Sequence, residues 1–303
     1  MVKNILITGA KGQLGSEIQE IAAHYPGFHF IPTDVAELDL TDKAAVENCI
    51  ATHKIDYAIN CAAYTAVDKA ETEVELCYAI NRDAVKNLAE AAAGRAKIIH
   101  ISTDYVFDGQ STVPYRETDP IHPQSVYGKS KRAGEEALLN ACPESIIIRT
   151  AWLYSVYGTN FVKTMLRLGK ERSDLNVVYD QQGSPTCAAD LAQTILSVIL
   201  HAEETGNFPA GIYHYSNEGV TTWFEFTKKI LQMAGITTCT VHPIPASQYP
   251  APAPRPGYSV LDKSKIKDTF GIVVPEWEQS LERCIEKGNR PIEKKRYKIC
   301  CIK

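Results

Sequence analysis

Near its start the 303-residue chain reads Asn4-Ile5-Leu6-Ile7-Thr8-Gly9-Ala10-Lys11-Gly12-Gln13-Leu14-Gly15, and this stretch decides the fold. The apolar run stops at a glycine, as a buried parallel strand does, and an amphipathic stretch begins at residue 13. Between them the glycines have the spacing G-x-x-G-x-x-G. A strand, a glycine-rich turn and a helix let the backbone approach a pyrophosphate at the helix N-terminus. We therefore predict a dinucleotide site here, with a flexible turn as the alternative.

Four further apolar runs continue an alternation of strand and helix patterns. They span residues 28–33, 55–63, 97–101 and 145–149. Helices are expected between them, the first with Thr41 as its N-cap and the next over residues 68–93. Five strands with intervening helices predict an α/β fold, a Rossmann-like, doubly wound parallel sheet formed by residues 1–150.

The second half of the chain has a looser pattern. It predicts short strands and amphipathic helices at residues 161–170, 176–179, 188–201, 212–215 and 222–233. We interpret residues 151–286 as a smaller, mainly substrate-binding α/β region, parts of which return to the first domain. Residues 287–303 form a basic tail, expected to be solvated. The polar connection 107–124 is long enough to be a substrate loop.

Tyr127 and Lys131 are four residues apart in a predicted helix, so they share one face. A free tyrosine has a pKa of about 10, and a nearby lysine cation favours the phenolate and lowers that pKa. Thr103, at the end of the fourth strand, can hydrogen-bond the phenol or the same substrate oxygen. The three groups suit proton transfer to a ketone oxygen. The alternative is that Tyr127 and Lys131 are surface residues of an amphipathic helix.

Asp34 follows the second strand, about twenty residues after the glycine loop. A carboxylate there accepts hydrogen bonds from an adenosine ribose and repels a 2′-phosphate, which favours NADH over NADPH. Lys11 is able to neutralise such a phosphate and so weakens this preference. In the proline-rich loop 246–256, Arg255 offers a guanidinium suited to a phosphate, with a surface salt bridge as the equal alternative.

Composition excludes several classes of protein. Hydrophobic residues make up 45% and charged residues 22% of the chain, the balance of a globular protein. A net charge of −4 provides no field that attracts nucleic acid. No apolar run approaches the roughly 20 residues of a membrane span, so we expect a cytoplasmic protein without a membrane partner. The nine cysteines form no C-x-x-C pair and are interpreted as reduced thiols without a metal site.

These motifs together identify a family resemblance. The glycine loop, Thr103 and the Tyr127-x-x-x-Lys131 pair, in this order, resemble the extended short-chain dehydrogenase/reductase superfamily. Four longer segments narrow the resemblance to the dTDP-4-dehydrorhamnose reductases: Cys61-Ala-Ala-Tyr-Thr-Ala-Val-Asp-Lys-Ala-Glu71, Ser102-Thr-Asp-Tyr-Val-Phe-Asp108, Asn160-Phe-Val-Lys-Thr-Met165 and Asp180-Gln-Gln-Gly-Ser-Pro-Thr186. Members of this family reduce the C4 ketone of a dTDP-linked 6-deoxy sugar with NADPH or NADH, which yields dTDP-L-rhamnose for cell-surface polysaccharide.

The resemblance also implies residue roles. Tyr127 becomes the proton donor, Lys131 tunes it and holds the nicotinamide ribose, and Thr103 lowers its pKa. The implied cofactor-binding residues are Gly9, Gly12, Gln13, Leu14, Gly15, Asp34, Asp39, Leu40, Ala62, Ala63, Thr65, Tyr127 and Lys131. The implied sugar-binding residues are Thr103, Asp104 and Trp152, and Arg255 is assigned to the diphosphate. Some members bind Mg²⁺ between subunits. Glu17 falls at one matching position, and Asp190 falls near another where a glutamate is expected, so the resemblance implies Mg²⁺ as a candidate cofactor. Many reductases of this superfamily pair through helices, which implies a homodimer.

The sequence favours one of several related activities. Nucleotide-sugar 4,6-dehydratases of this superfamily need an acid and a base beside the threonine, whereas here Asp104 is followed by Tyr105. A simple ketone reductase is therefore preferred. The alternatives are a catalytically silent binding subunit, similar to the beta subunit of methionine adenosyltransferase, and a 4-ketoreductase that yields a different 6-deoxyhexose.

Overall fold

The computed structural model describes residues 2–289. Its centre is a parallel sheet of six strands in the order β10-β5-β4-β3-β1-β2. These strands are β1 (Lys3–Thr8), β2 (Phe28–Pro32), β3 (Tyr57–Asn60), β4 (Lys97–Thr103), β5 (Ile146–Thr150) and β10 (Gly211–His214). The order reverses beside β1, which starts the chain in the middle of the sheet, as in other doubly wound folds. The predicted fold class is confirmed.

Helices cover both faces of this sheet. They are α1 (Gln13–Ile21), α2 (Lys43–Thr52), α3 (Val67–Ala70), α4 (Val74–Tyr78), α5 (Ala84–Ala92), α6 (Val126–Ala141), α7 (Phe161–Glu171), α8 (Ala188–Thr205), α9 (Trp223–Met233), α10 (Ser264–Phe270) and α11 (Trp277–Asn289). One apolar core joins the sheet to α1, α8 and α10, and a second joins its other face to α2, α5 and α6. None of the helices in residues 2–289 has the length and apolar character of a membrane span.

The second half of the chain adds three small sheets beside the large one. They pair β6 (Leu153–Tyr154) with β9 (Thr186–Cys187), β7 (Asp174–Val178) with β12 (Thr240–Ile244), and β8 (Gln182–Gly183) with β11 (Thr221–Thr222). Helices α7, α9 and α11 pack on them around a separate apolar core. Strand β10 lies beside β5, and α8 packs on α1, so elements from after residue 150 join the large sheet and its helical layer.

The structure corrects four local predictions. Thr41 is not the N-cap of α2, because the Asp42 carboxylate accepts the N–H of Ala45 at 3.1 Å. The helix expected over residues 68–93 is divided into α3, α4, a π-helical turn and α5. The first residues of the expected tail, 287–289, end α11, and the rest of the tail lies outside the described residues.

The fourth correction concerns the connection 107–124. Among the described residues that line the large cleft, none comes from this connection. It is held elsewhere by Tyr115, whose ring is buried and stacks on Phe107 with 4.3 Å between ring centroids. A fourth, smaller apolar core holds the connection outside the lining of the cleft.

Candidate active site

A cleft of roughly 1300 Å³ opens at the carboxyl ends of the parallel strands. It brings together almost all of the site residues expected from the sequence. The residues from that set that line it are Gly9, Gly12, Gln13, Leu14, Asp34, Asp39, Leu40, Ala62, Ala63, Thr65, Thr103, Asp104, Tyr127, Lys131, Trp152 and Arg255. Cofactor and sugar candidates therefore border one continuous space.

The glycine loop has a shape that other residues cannot adopt. Gly9 has φ of +63°, and a Cβ there would lie 2.7 Å from the backbone nitrogen of Ala62. Gly15 does not line the cleft, but a Cβ on it would lie 2.5 Å from the carbonyl oxygen of Gly9. Gly15 thus lets helix α1 pack against the loop. The N-terminus of α1, which begins after Gly12 without a side-chain cap, faces the cleft and suits a pyrophosphate.

Helix α6 presents Tyr127 to the end of β4. Ser125 caps the helix by accepting the N–H of Gly128 at 3.1 Å. A Cβ on Gly128 would lie 2.2 Å from the carbonyl oxygen of Tyr105, so glycine permits the close contact between α6 and the turn that follows β4. The Tyr127 and Tyr105 rings meet edge to face with 5.5 Å between centroids. This contact places the phenol beside Thr103.

The phenol of Tyr127 borders the cleft and keeps its proton near neutral pH. Burial raises its pKa well above the ordinary value, and the nearby Thr103 hydroxyl opposes that rise. The phenol is consequently neutral near pH 7. The lowering of its pKa by Lys131, expected from the sequence, stays a prediction.

Asp104 is a buried carboxyl group at the same place. Thr103 Oγ1 donates to its Oδ1 at 2.9 Å, while its Oδ2 is buried without a partner among the described residues. Burial raises the pKa of Asp104 to about 6, and the hydrogen bond from Thr103 opposes that rise. The unpartnered oxygen can accept a hydrogen bond from a hydroxyl of a bound ligand.

Lys131 is buried at the inner wall of the cleft. Its Nζ donates to the carbonyl oxygen of Ile101 at 2.6 Å and lies 3.4 Å from His100 Nε2. Burial lowers the pKa of Lys131 to about 8, and the nearby carboxylate of Glu135 opposes that fall. Lys131 can therefore exchange its proton close to neutral pH.

Asp34 and Lys11 also line the cleft. The Asp34 carboxylate accepts the backbone N–H of Lys11 and of Val35, both at 2.9 Å. The Lys11 ammonium is paired with Glu37 at 2.8 Å. The Asp34 carboxylate and the Lys11 ammonium, the two charged groups expected to act on a 2′-phosphate, thus already have partners within the protein. Asp39 accepts two hydrogen bonds from Thr41, so it also shapes the turn in which it lies.

Aromatic side chains and an arginine also line the cleft. Trp152 has φ of +49° and stacks on Trp223 with 3.5 Å between centroids. Arg255 makes an ion pair with Asp68 at 2.8 Å and also borders the cleft, so the salt bridge is present and the assignment of Arg255 to the diphosphate stays a prediction. Sequence reasoning missed Tyr105 and Trp223, which also line the cleft. Tyr105 lay inside a quoted motif, whereas Trp223 carried no local signal.

The acidic residues proposed for Mg²⁺ do not form a metal site. Glu17 is buried, accepts the Ser155 hydroxyl at 2.6 Å and pairs with Lys287 at 2.8 Å. Asp190 pairs with Arg283 at 2.7 Å. Because each carboxylate is neutralised by a cation of the chain, they do not fit Mg²⁺, and residues 2–289 contain no group of three or more possible ligands. All seven described cysteines are unbridged.

A glycine-rich dinucleotide loop on a doubly wound sheet, with a threonine, a tyrosine and a lysine at one cleft, defines an extended short-chain dehydrogenase/reductase. Three relatives share about 40% of the sequence over nearly the whole chain. The dTDP-4-dehydrorhamnose reductases of Aggregatibacter actinomycetemcomitans and Escherichia coli are 42% and 39% identical, covering 92% and 93% of this chain and 97% of each relative. The Bacillus anthracis reductase, solved in complex with NADP, is 40% identical, with a TM-score of 0.88 over 95% of this chain and all of that one.

A family model described as the RmlD substrate binding domain matches residues 3–290. The chain therefore belongs to the family of dTDP-4-dehydrorhamnose reductases. A dTDP-glucose 4,6-dehydratase from Streptomyces venezuelae, 19% identical with a TM-score of 0.77, shares the fold alone.

Proposed function

We propose that this protein reduces the C4 ketone of dTDP-4-dehydro-L-rhamnose to the alcohol of dTDP-L-rhamnose, with a nicotinamide dinucleotide as reductant. The observation that carries the proposal is the phenol of Tyr127, half-buried beside Thr103 in the same cleft as the glycine loop. When bound, the reduced nicotinamide supplies a hydride to C4. The Tyr127 phenol gives its proton to the C4 oxygen, and the two transfers together make the alcohol.

The other residues bind and orient the cofactor and the sugar nucleotide. Thr103 lies beside Tyr127 and holds the reacting groups in place. Lys131 holds the nicotinamide ribose and returns a proton to the tyrosine. The N-terminus of α1 and the glycine loop hold the pyrophosphate of the cofactor. For the sugar nucleotide, the open oxygen of Asp104 accepts from a sugar hydroxyl, the Trp152 indole packs on a ring, and Arg255 pairs with the diphosphate.

The test is product identification. Purified protein is incubated with dTDP-4-dehydro-L-rhamnose and either NADH or NADPH, and the sugar nucleotide formed is identified by NMR. The proposal expects dTDP-L-rhamnose. Formation of a dTDP-linked talose derivative would contradict the proposed product. Cofactor binding without cofactor oxidation would contradict the proposed reaction. The product needs this check because a Streptomyces antibioticus relative, 37% identical, is named as a probable 4-ketoreductase of another dTDP sugar.

The regulatory-subunit alternative is not favoured. The relatives reported above are named as reductases, and the chain keeps the threonine, tyrosine and lysine set in one cleft. We place the reaction in the cytoplasm, where nicotinamide cofactors and nucleotide sugars are available. A homodimer stays a prediction that the mass of the protein in solution can test.

Cofactor preference follows from the charges around Asp34. We propose that NADH is used at least as well as NADPH, because a 2′-phosphate has to approach the Asp34 carboxylate. To meet this phosphate, Lys11 has to leave Glu37. Asp34→Asn keeps an acceptor for the Lys11 N–H but removes the charge. It is expected to shift the ratio of kcat/KM values by about tenfold towards NADPH, since removing one close like charge is worth roughly 1 to 2 kcal/mol.

The matched variant for this prediction is Glu37→Gln, which frees the Lys11 ammonium and leaves the Asp34 carboxylate in place. It should also shift the ratio of kcat/KM values towards NADPH, but by less, because the Lys11–Glu37 pair is exposed. Steady-state kinetics with both cofactors measures both ratios. Equal ratios in the wild type and Asp34→Asn would remove Asp34 from cofactor selection.

A further inference from the structure

We propose that His100 is a positioning residue for Lys131, with its tautomer fixed by Asn60 so that a ring N–H faces the Lys131 amine. The inference rests on the proposed function, in which Lys131 returns a proton to Tyr127. His100 lies on β4, three residues before Thr103, and is fully buried. It lies behind Lys131, outside the described lining of the cleft.

Hydrogen bonds fix the orientation of the Asn60 side-chain amide. Asn60 Oδ1 accepts the N–H of Ala62 at 3.2 Å and the hydroxyl of Thr8 at 2.7 Å. A backbone N–H can only donate, so the oxygen of the amide must be the atom that faces Ala62. The amide nitrogen of Asn60 therefore faces His100 Nδ1, at 3.0 Å.

The Asn60 amide fixes the tautomer of the His100 imidazole. An amide NH₂ group only donates, so His100 Nδ1 must accept and carries no proton. Burial, together with the nearby Lys131 cation, holds the pKa of His100 well below its ordinary value, so the ring is neutral. A neutral ring that is bare at Nδ1 carries its proton on Nε2. That N–H is the one that faces Lys131 Nζ, at 3.4 Å.

The groups around Lys131 Nζ act on its protonation in opposite directions. An ammonium group has no lone pair, so the His100 N–H opposes the charged form of Lys131, whereas a neutral amine can accept this N–H. The carbonyl of Ile101 favours the ammonium, which donates to it at 2.6 Å. The ionisable groups around Lys131 that also favour its charged form are Glu135 on its own helix, Cys77 on α4 and Cys61 after β3. His100 is the polar group that acts in the opposite direction.

The arrangement serves the return of the proton. Once the phenol of Tyr127 has given its proton to the ketone oxygen, the phenolate needs another. The Lys131 ammonium transfers a proton to it and becomes a neutral amine, which accepts the His100 N–H until it takes a proton from water. A lysine held firmly as ammonium would release that proton slowly.

The test is the titration of Lys131 in Asn60→Asp. A carboxylate at position 60 accepts from His100 Nδ1, which moves the ring proton to Nδ1 and turns the Nε2 lone pair towards the ammonium. The pKa of Lys131 should then rise from about 8 in the wild type. A rise of about one pH unit or more is expected. NMR of protein labelled with ¹³C at the lysine ε-carbon follows this titration, and Lys131→Met assigns the signal.

The pH profile of kcat gives a second readout. Lys131 loses its proton as the pH rises through its pKa, so a raised pKa moves the basic limb of the profile to higher pH. His100→Gln, whose amide oxygen can face the ammonium, should move the titration and the limb in the same direction. It also replaces Asn60→Asp should that variant fail to fold.

The matched control is His214→Gln. His214 is also buried in the central sheet, but its Nδ1 faces the carbonyl oxygen of Tyr115 at 3.0 Å. It should leave the Lys131 titration unchanged. An unchanged titration in both Asn60→Asp and His100→Gln would overturn the inference. The titration needs no turnover, so a wild type that fails to reduce the sugar would contradict the proposed function alone.

Discussion

Tyr127→Phe is expected to lower kcat by roughly 10²- to 10⁴-fold, the usual contribution of a positioned general acid. Phenylalanine keeps the ring and its edge-to-face contact with Tyr105, and it removes only the hydroxyl. The ketone oxygen then has no proton donor in a buried site. Stopped-flow and steady-state measurements of cofactor oxidation quantify the loss.

Cofactor binding provides the control for this variant. The glycine loop and the start of α1 do not depend on the phenol, so the affinity for NADH should change by less than about threefold. Fluorescence titration with NADH measures it. Residual kcat within tenfold of the wild type would show that another group protonates the C4 oxygen and would remove Tyr127 from its assigned role.

Arg149→Met is expected to lower the free energy of unfolding by about 3 to 5 kcal/mol, the cost of breaking a buried ion pair. Arg149 on β5 makes two hydrogen bonds to Glu135 on α6, at 2.9 and 2.7 Å. Their side chains are 1% and 3% exposed, so the remaining carboxylate cannot be hydrated. The guanidinium also lies 5.2 Å from the centre of the Phe107 ring. Urea denaturation followed by circular dichroism measures the loss.

The chain contains a matched exposed pair on the same helix. Arg132 and Glu136 are 40% and 55% exposed, so Arg132→Met should cost less than about 1 kcal/mol. Replacing both buried partners, as Arg149→Met with Glu135→Leu, should restore most of the stability because no charge is left unpaired. Equal losses for Arg149→Met and Arg132→Met would show that burial adds nothing to this ion pair.

The parts of the fold that the sequence predicted are those specified locally. Strand β1, the glycine loop and α1 follow one another along the chain, and their hydrophobic and glycine patterns need no distant partner. The shared face of Tyr127 and Lys131 is likewise a property of one helix. Because strand ends converge in a parallel sheet, Thr103 and the glycine loop could also be assigned to one cleft.

The remaining features depend on contacts between distant parts of the chain. The helix expected over residues 68–93 breaks where Glu71 accepts the backbone N–H of Val126 at 2.9 Å. Arg255 reaches Asp68 across 187 residues. Lys287 reaches the buried Glu17 across 270 residues, which replaces the metal suggested by the family with a cation of the chain. No local pattern encodes such pairs.

The hydrogen-bonded series behind Lys131 was also beyond sequence reasoning. His100 and Asn60 looked like ordinary polar residues in two apolar strands. The register of the β3–β4 pair places these two residues directly opposite each other. The pairing of two strands thus supplies a group that acts on the active-site lysine from behind.

The most direct measurement of the central claim follows the hydride. The protein is incubated with dTDP-4-dehydro-L-rhamnose and NADH deuterated at the transferred position of C4 of the nicotinamide, and the product is analysed by ¹H NMR and mass spectrometry. The account predicts dTDP-L-rhamnose with one deuterium at C4 of the sugar. Cofactor oxidation without deuterium at that carbon, or no oxidation at all, would contradict it.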